Sequence, residues 1–209
     1  MGNVIVFQGD SITDVQRSRE ITDPNLGMGS GYAFMVSSYL RCHNPEKDWQ
    51  VYNRGISGNR VVDLYARWKI DALNLKPDIL SILIGVNDTW HEFAHQNGVE
   101  VPRYEMLYRM LLEWTKQELP DVKLVLLEPF AFLSEVVEES WMTEIRQRRE
   151  VVKKLSEEFD TIFIPTQSIL DEALKLAPET YWLRDGVHPT SAGHQLITEA
   201  WLKATEKIR

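Results

Sequence analysis

Five short apolar runs punctuate the chain, and each gives way to a glycine, a proline or a loop. Asn3 to Gln8 ends at Gly9. Gln50 to Asn53 leads into Arg54-Gly55, and Asp78 to Ile84 halts at Gly85. Val122 to Leu127 stops just before Pro129, and Thr161 to Ile164 stops at Pro165. Short, nearly continuous apolar runs of this kind fit strands buried on both faces, as in a parallel sheet. Helical periodicity fills the gaps. Tyr32 to Arg41 puts Ala33, Val36, Ser37 and Leu40 on one face. Val61 to Leu73 spaces Val62, Tyr65, Ala66 and Lys69 as a helix would, and Arg103 to Glu118 does the same with Leu107, Met110, Leu111 and Trp114. Trp141 to Phe159 carries Ile145, Val152, Leu155 and Phe159; Ser191 to Lys207 carries Leu196, Ile197, Ala200 and Ala204. Asp171 to Leu176 reads as a short extra turn. Strands alternating with helices predict a three-layer α/β/α sandwich around a mostly parallel sheet. No repeat, low-complexity stretch or linker interrupts the pattern, so residues 1–209 read as one domain.

In such sheets ligands bind beyond the carboxyl ends of the strands. Those ends read Gln8-Gly9-Asp10-Ser11, Asn53-Arg54-Gly55 and Ile84-Gly85-Val86-Asn87. A glycine two residues before Ser11 permits a sharp turn that lifts the hydroxyl into the open, although Asp10 or Ser11 could equally cap the next turn. Asn87 offers a neutral amide to a developing oxyanion, or bonds its own backbone. Gly58 could bring a backbone N–H to the same place. Ser57 is the rival nucleophile, with no base near it in sequence. Asp88 reads as a cap for the following helix. Near the other end, His188 follows Asp185 by three positions and precedes Pro189. On one loop that spacing lets the carboxylate hold Nδ1, freeing Nε2 to take a serine proton. Pro189 is placed to open the last helix, and His194 inside it reads as structural. There is no Gly-x-Ser-x-Gly elbow.

Other chemistries fit less well. His91 and His95 are four apart, but His-Glu-x-x-x-His is one residue longer than the zinc motif, and no third ligand accompanies it; no metal is expected. Gly27-Met28-Gly29-Ser30-Gly31 follows no strand and reads as a flexible loop, not a dinucleotide fingerprint. The single cysteine, Cys42, sits late in an apolar-patterned segment and reads as a packed core thiol. With 31 acidic against 23 basic residues the net charge is -8, which argues against nucleic acid and anionic membrane surfaces as partners. The first residues have no basic region and miss the myristoylation pattern, and no stretch approaches the ~20 apolar residues of a membrane span. A cytoplasmic protein is expected. Aromatic residues near the termini are candidates for a homo-oligomer contact or for the core.

Taken in order, Gly9-Asp10-Ser11-Ile12-Thr13-Asp14, Asn53 to Asn59, Gly85-Val86-Asn87-Asp88 and Asp185-Gly186-Val187-His188-Pro189 resemble the blocks of the SGNH hydrolase superfamily, the GDSL-type esterases. The resemblance spans most of the chain; Ile12 stands where many members have leucine. It implies a five-stranded parallel sheet in a flavodoxin-like sandwich and no cofactor. By resemblance Ser11 is the nucleophile, His188 the base and Asp185 its partner, with the Ser11 and Gly58 N–H groups and the Asn87 side chain as oxyanion hole. Gly55 to Asn59 with Ala66-Arg67-Trp68, and Gly85 to Asp88 with Trp90, look like bacterial acetylxylan esterases, which implies an acetylated oligosaccharide or other small ester as substrate. Trp90 and Trp182 are then candidates for sugar stacking and Arg60 for polar contacts; Arg54 and Arg184 also flank the motifs, and all three arginines could instead be solvated or paired with Asp10 or Asp63. A lysophospholipase or thioesterase is the alternative within the superfamily. A non-catalytic module on the same fold would leave Ser11, Asn87, Asp185 and His188 without a purpose.

Overall fold

The computed structural model describes residues 3–19 and 26–209; Met1 and Gly2, which open the segment read for a leader, lie outside them. Five strands form one sheet: β1 Val4–Gly9, β2 Gln50–Asn53, β3 Ile79–Leu83, β4 Lys123–Leu127 and β5 Ile162–Ile164. All neighbours are parallel, in the order β2-β1-β3-β4-β5. The helices are α1 Ser11–Asp14, α2 Tyr32–His43, α3 Val61–Asp71, α4 Val86–His95, α5 Val101–Glu118, α6 Glu139–Glu158, α7 Thr166–Ala173, α8 Glu179–Trp182 and α9 Ser191–Ala204. The three-layer sandwich expected from the sequence is the fold observed, with strand boundaries within about a residue.

Strand residues alternate between two cores, because successive side chains leave opposite faces. Ile5, Phe7, Ile79, Leu83, Val125 and Leu127 pack with α2, α7, α8 and α9. Val6, Leu80, Ile82, Leu124 and Leu126 pack with α3 and α5. α6 gives Trp141 and Ile145 to the first core and Val151, Val152 and Leu155 to the second. Each large side chain so buried contributes about 1.5–3 kcal/mol. Buried indoles need a partner for their N–H: Trp68 donates to Thr115 Oγ1 at 2.9 Å, and Trp201 to Ser81 Oγ at 3.1 Å.

Several local expectations need correction. α3 buries Val61, Leu64 and Trp68, one register away from Val62, Tyr65, Ala66 and Lys69. Lys69 is exposed there, since an ammonium has no place in an apolar contact. α5 turns Met110 outward and buries Tyr104, Tyr108, Leu112 and Thr115 beside Leu111. α9 seals its side of the sheet with Ile197 and Trp201, while Leu196, Ala200 and Ala204 lie at the margin. The turn read at Asp171 to Leu176 is the tail of α7, which begins at Thr166. Pro189 does not open α9; Thr190 caps it by accepting the Gly193 N–H, and Pro189 pairs with Leu183 instead. Cys42 is exposed, not packed, because the buried stripe of α2 ends at Leu40. Of the glycine-rich segment, Gly27 and Met28 belong to a single helical turn, Leu26–Met28, and the rest is the loop that leads to α2. No helix among the described residues is long and apolar enough to cross a membrane.

Candidate active site

The strand order reverses between β1 and β3, so the connections leaving those two strands diverge and open a crevice at their carboxyl ends. Ser11 leaves β1 there and Asn87 leaves β3. The cleft containing Ser11 has a volume of about 620 Å3 and is also lined by Ser57, Arg184, His188 and His194, a size suited to a small organic ligand.

Asp10 starts the construction. Its Oδ1 accepts the Ile12 N–H at 2.9 Å and caps α1, so Ser11 is the first residue of a turn that projects from the sheet. Ser11 Oγ lies 2.9 Å from His188 Nε2. His188 Nδ1 lies 2.7 Å from Asp185 Oδ2. The carboxylate holds the loop as well as the ring: Asp185 Oδ1 accepts the N–H groups of His188 at 2.8 Å and Val187 at 3.1 Å. Burial would raise the Asp185 pKa, but these hydrogen bonds and the imidazole outweigh it and hold the carboxyl below its usual range. A carboxylate at Nδ1 fixes the proton there and leaves Nε2 to accept from the serine hydroxyl. A hydroxyl, an imidazole and a carboxylate in this line can activate oxygen for attack on an electrophile.

The loop that carries the histidine is braced from α8 and from the segment after β4. Arg184 N–H donates to His188 O and Thr190 N–H to Trp182 O, each at 2.9 Å. Gly186 has φ +82°, and a Cβ there would stand 2.4 Å from Phe132 O. No other residue permits that contact and that backbone together.

The second wall is the loop from β2 to α3. Asp14 Oδ2 accepts the Ser57 N–H at 2.9 Å and the Ser57 hydroxyl at 3.3 Å. The rival serine therefore faces a carboxylate rather than an imidazole. Arg67 ties the same loop to the sheet through Asn59 Oδ1, Gln8 Oε1 and the carbonyls of Gly9 and Arg54. Gly58 has φ +81°, and the position of an added Cβ meets only His91 Nε2, at 4.0 Å. Asn87 Nδ2 donates to Asn59 O at 3.1 Å. A primary amide has two N–H groups, so one holds the side chain in place and the second remains for a ligand.

Asp88, expected to cap the following helix, lies inside α4 and caps an earlier one: its carboxylate accepts the Val61 N–H at the start of α3. Burial pushes Asp10 up to about 7, with the nearby Asp88 charge adding to it. Burial likewise pushes Asp88 up to about 7. Asp10 Oδ2 is buried without a hydrogen-bond partner. An unfolded aspartate titrates near ~3.9, so these carboxyls stabilise the fold fully below that pH and lose the contribution as pH rises through about 7. Asp10→Asn is neutral throughout. Its melting temperature relative to wild type is expected to improve between about pH 5 and about pH 8; parallel melting curves would overturn this.

Trp90 lies beside the catalytic candidates, its ring 5.9 Å from that of His188 and 5.3 Å from that of Trp141. Trp182 is buried, with its indole N–H given to Ala177 O at 3.1 Å. Arg60 is turned to Asp63 and to Asn97 O, capping α3. Arg54 stacks over Tyr52. His194 accepts the Tyr32 N–H through Nδ1, and burial, with Arg184 and His188 adding to it, pushes its pKa down to about 4, so it stays neutral. Sequence reasoning missed Asp14 and Arg67. Asp14 stood inside the Gly9 to Asp14 block, yet its partner Ser57 is 43 residues away.

The GDSL-like lipase/acylhydrolase family pattern matches residues 7–196. The chain is 37% identical over 208 residues to the acetylxylan esterase of Geobacillus stearothermophilus, covering 97% of this chain and 93% of that one. A crystal structure of a GDSL-like lipase candidate from Parabacteroides merdae superposes with a TM-score of 0.92 at 46% identity, covering 97% and 95% of the two chains. That of Axe2, the G. stearothermophilus acetylxylan esterase, gives 0.87 at 36% identity and covers 97% and 94%. Other Axe2 structures are catalytic mutants in which a serine, an aspartate or a histidine is replaced by alanine, the last two being three residues apart.

Proposed function

The chain belongs to the GDSL-like lipase/acylhydrolase family and is an esterase resembling acetylxylan esterases; from that premise we propose that it removes acetyl groups from xylo-oligosaccharides or other acetylated sugars through an acyl-enzyme on Ser11. The observation that carries this reading is the line of hydrogen bonds Ser11–His188–Asp185. The catalytic mutants of Axe2 support it, since Asp185 and His188 share the spacing of that aspartate and histidine.

In the proposed reaction His188 Nε2 takes the Ser11 proton as Oγ attacks the ester carbonyl. The resulting oxyanion accepts from the Ser11 and Gly58 N–H groups and from Asn87 Nδ2. His188 then protonates the departing sugar hydroxyl. Water, deprotonated by His188, attacks the acetyl-enzyme, and acetate leaves as Ser11 recovers its proton. Trp90, beside His188, offers a face to the sugar ring. Asn87→Ala is expected to lower kcat by about 10²- to 10³-fold while leaving KM nearly unchanged, the signature of a donor used mainly in the transition state. A matching rise in KM would make Asn87 a ground-state contact.

The reading is tested with p-nitrophenyl esters from acetyl to octanoyl, followed by acetylated xylo-oligosaccharides. Acetyl preference and release of acetate from the oligosaccharides are expected. A preference for octanoyl would replace the sugar substrate with a long-chain acyl ester or thioester.

A further inference from the structure

One face of α4 carries more than the proposed reaction uses. Asn87, Trp90 and His91 stand at i, i+3 and i+4, and so line up along the same side of the helix. Asn87 reaches the Asn59 carbonyl, Trp90 flanks His188, and His91 Nε2 stands 4.0 Å from the point where a Gly58 side chain would begin. In the proposed reaction the first two stand next to the ester. His91 faces the open space in front of Gly58 from the same side of the helix. Its ring is partly exposed and makes no hydrogen bond to another described residue; its one ring contact is with the edge of His95, 6.0 Å away. Burial, then Arg60 and the neighbouring His95, lower its pKa against the opposing pull of Asp63, which favours the neutral ring.

A neutral imidazole presents one donor and one acceptor. An acetyl methyl offers nothing to either. A hydroxyl on the alcohol side of the ester, next to the acylated carbon, answers both. We propose that His91 is a specificity-determining residue that hydrogen-bonds a hydroxyl neighbouring the scissile ester, selecting esters of polyols over esters of simple alcohols. This rests on the reading of Ser11, Gly58 and Asn87 given above and adds the recognition of the leaving group.

The test compares two acetyl esters that differ in this feature. Glycerol monoacetate has neighbouring hydroxyls; p-nitrophenyl acetate has none. For His91→Ala, kcat/KM on glycerol monoacetate is expected to fall about ten-fold further than on p-nitrophenyl acetate, mainly through KM. His91→Gln, which keeps a donor and an acceptor, is expected to recover most of that difference, and guards against a fold defect in the alanine variant. Equal effects on both esters, or none on either, overturn the proposal. The sugar substrate is judged separately by wild-type turnover of acetylated xylo-oligosaccharides. His91 can therefore fail while the deacetylase stands, and the reverse.

Discussion

Ser11→Ala is expected to lower kcat for p-nitrophenyl acetate by on the order of 10⁶-fold, the scale of loss when a triad serine is removed. The variant should remain folded. Ser11 is only partly buried, and the turn it begins is capped by the Asp10 carboxyl, which the substitution leaves in place. Binding of ester should survive, because the cleft keeps its shape. Two measurements check this: steady-state hydrolysis, and capture of a labelled acyl group on the wild type but not on the variant. Ser57 is the internal control. Its hydroxyl is engaged with Asp14, so Ser57→Ala should retain most activity. Hydrolysis surviving in Ser11→Ala and lost in Ser57→Ala would reverse the assignment.

Asp185→Asn is expected to cost on the order of 10⁴-fold in kcat, with little change in melting temperature. The amide is the same size and its Oδ1 can still accept the His188 and Val187 N–H groups that shape the loop. What changes is the contact at His188 Nδ1, now 2.7 Å from a carboxylate oxygen. An amide N–H placed there donates instead of accepting, so the imidazole must carry its proton on Nε2. That tautomer cannot accept from Ser11. Raising the pH should not restore the rate, since the fault is the position of a proton rather than its number. A loss of only a few-fold would assign Asp185 to holding the loop alone.

Much of this site could be read from the sequence because chemistry gathers where strands end. Gly85 and Gly186 have positive φ, and at Gly9 a Cβ would stand 2.5 Å from Leu83 O; the reactive groups sit within three residues of these glycines. The strands were legible for a related reason: both faces of the sheet are buried, so the runs are mostly apolar. Helix faces were harder. α3 was misread because Val62 and Tyr65 are apolar yet lie at the margin of the core, while Trp68 satisfies its polar N–H with a buried Thr115. α6 hides a fully buried cation, Arg148, which bonds Val99 O and Glu144; no periodicity of apolar residues announces such a residue. Arg67 was invisible as an anchor for the same reason that it works: besides Asp71 on its own helix, its partners lie at Gln8, Gly9, Arg54 and Asn59, and only the folded sheet brings them together.

The contact between Ser11 and His188 joins residues 177 positions apart. A chain made from its amino end can pair β1, β2 and β3 and shape much of the oxyanion side long before the histidine loop exists. Hydroxyl and base meet only after α8 has presented that loop and it has docked on Phe132. Esterase turnover during refolding is therefore a clock for the last long-range closure of the chain. It should lag behind the appearance of helix and sheet signals, and an early intermediate with both in place would be structured but chemically silent.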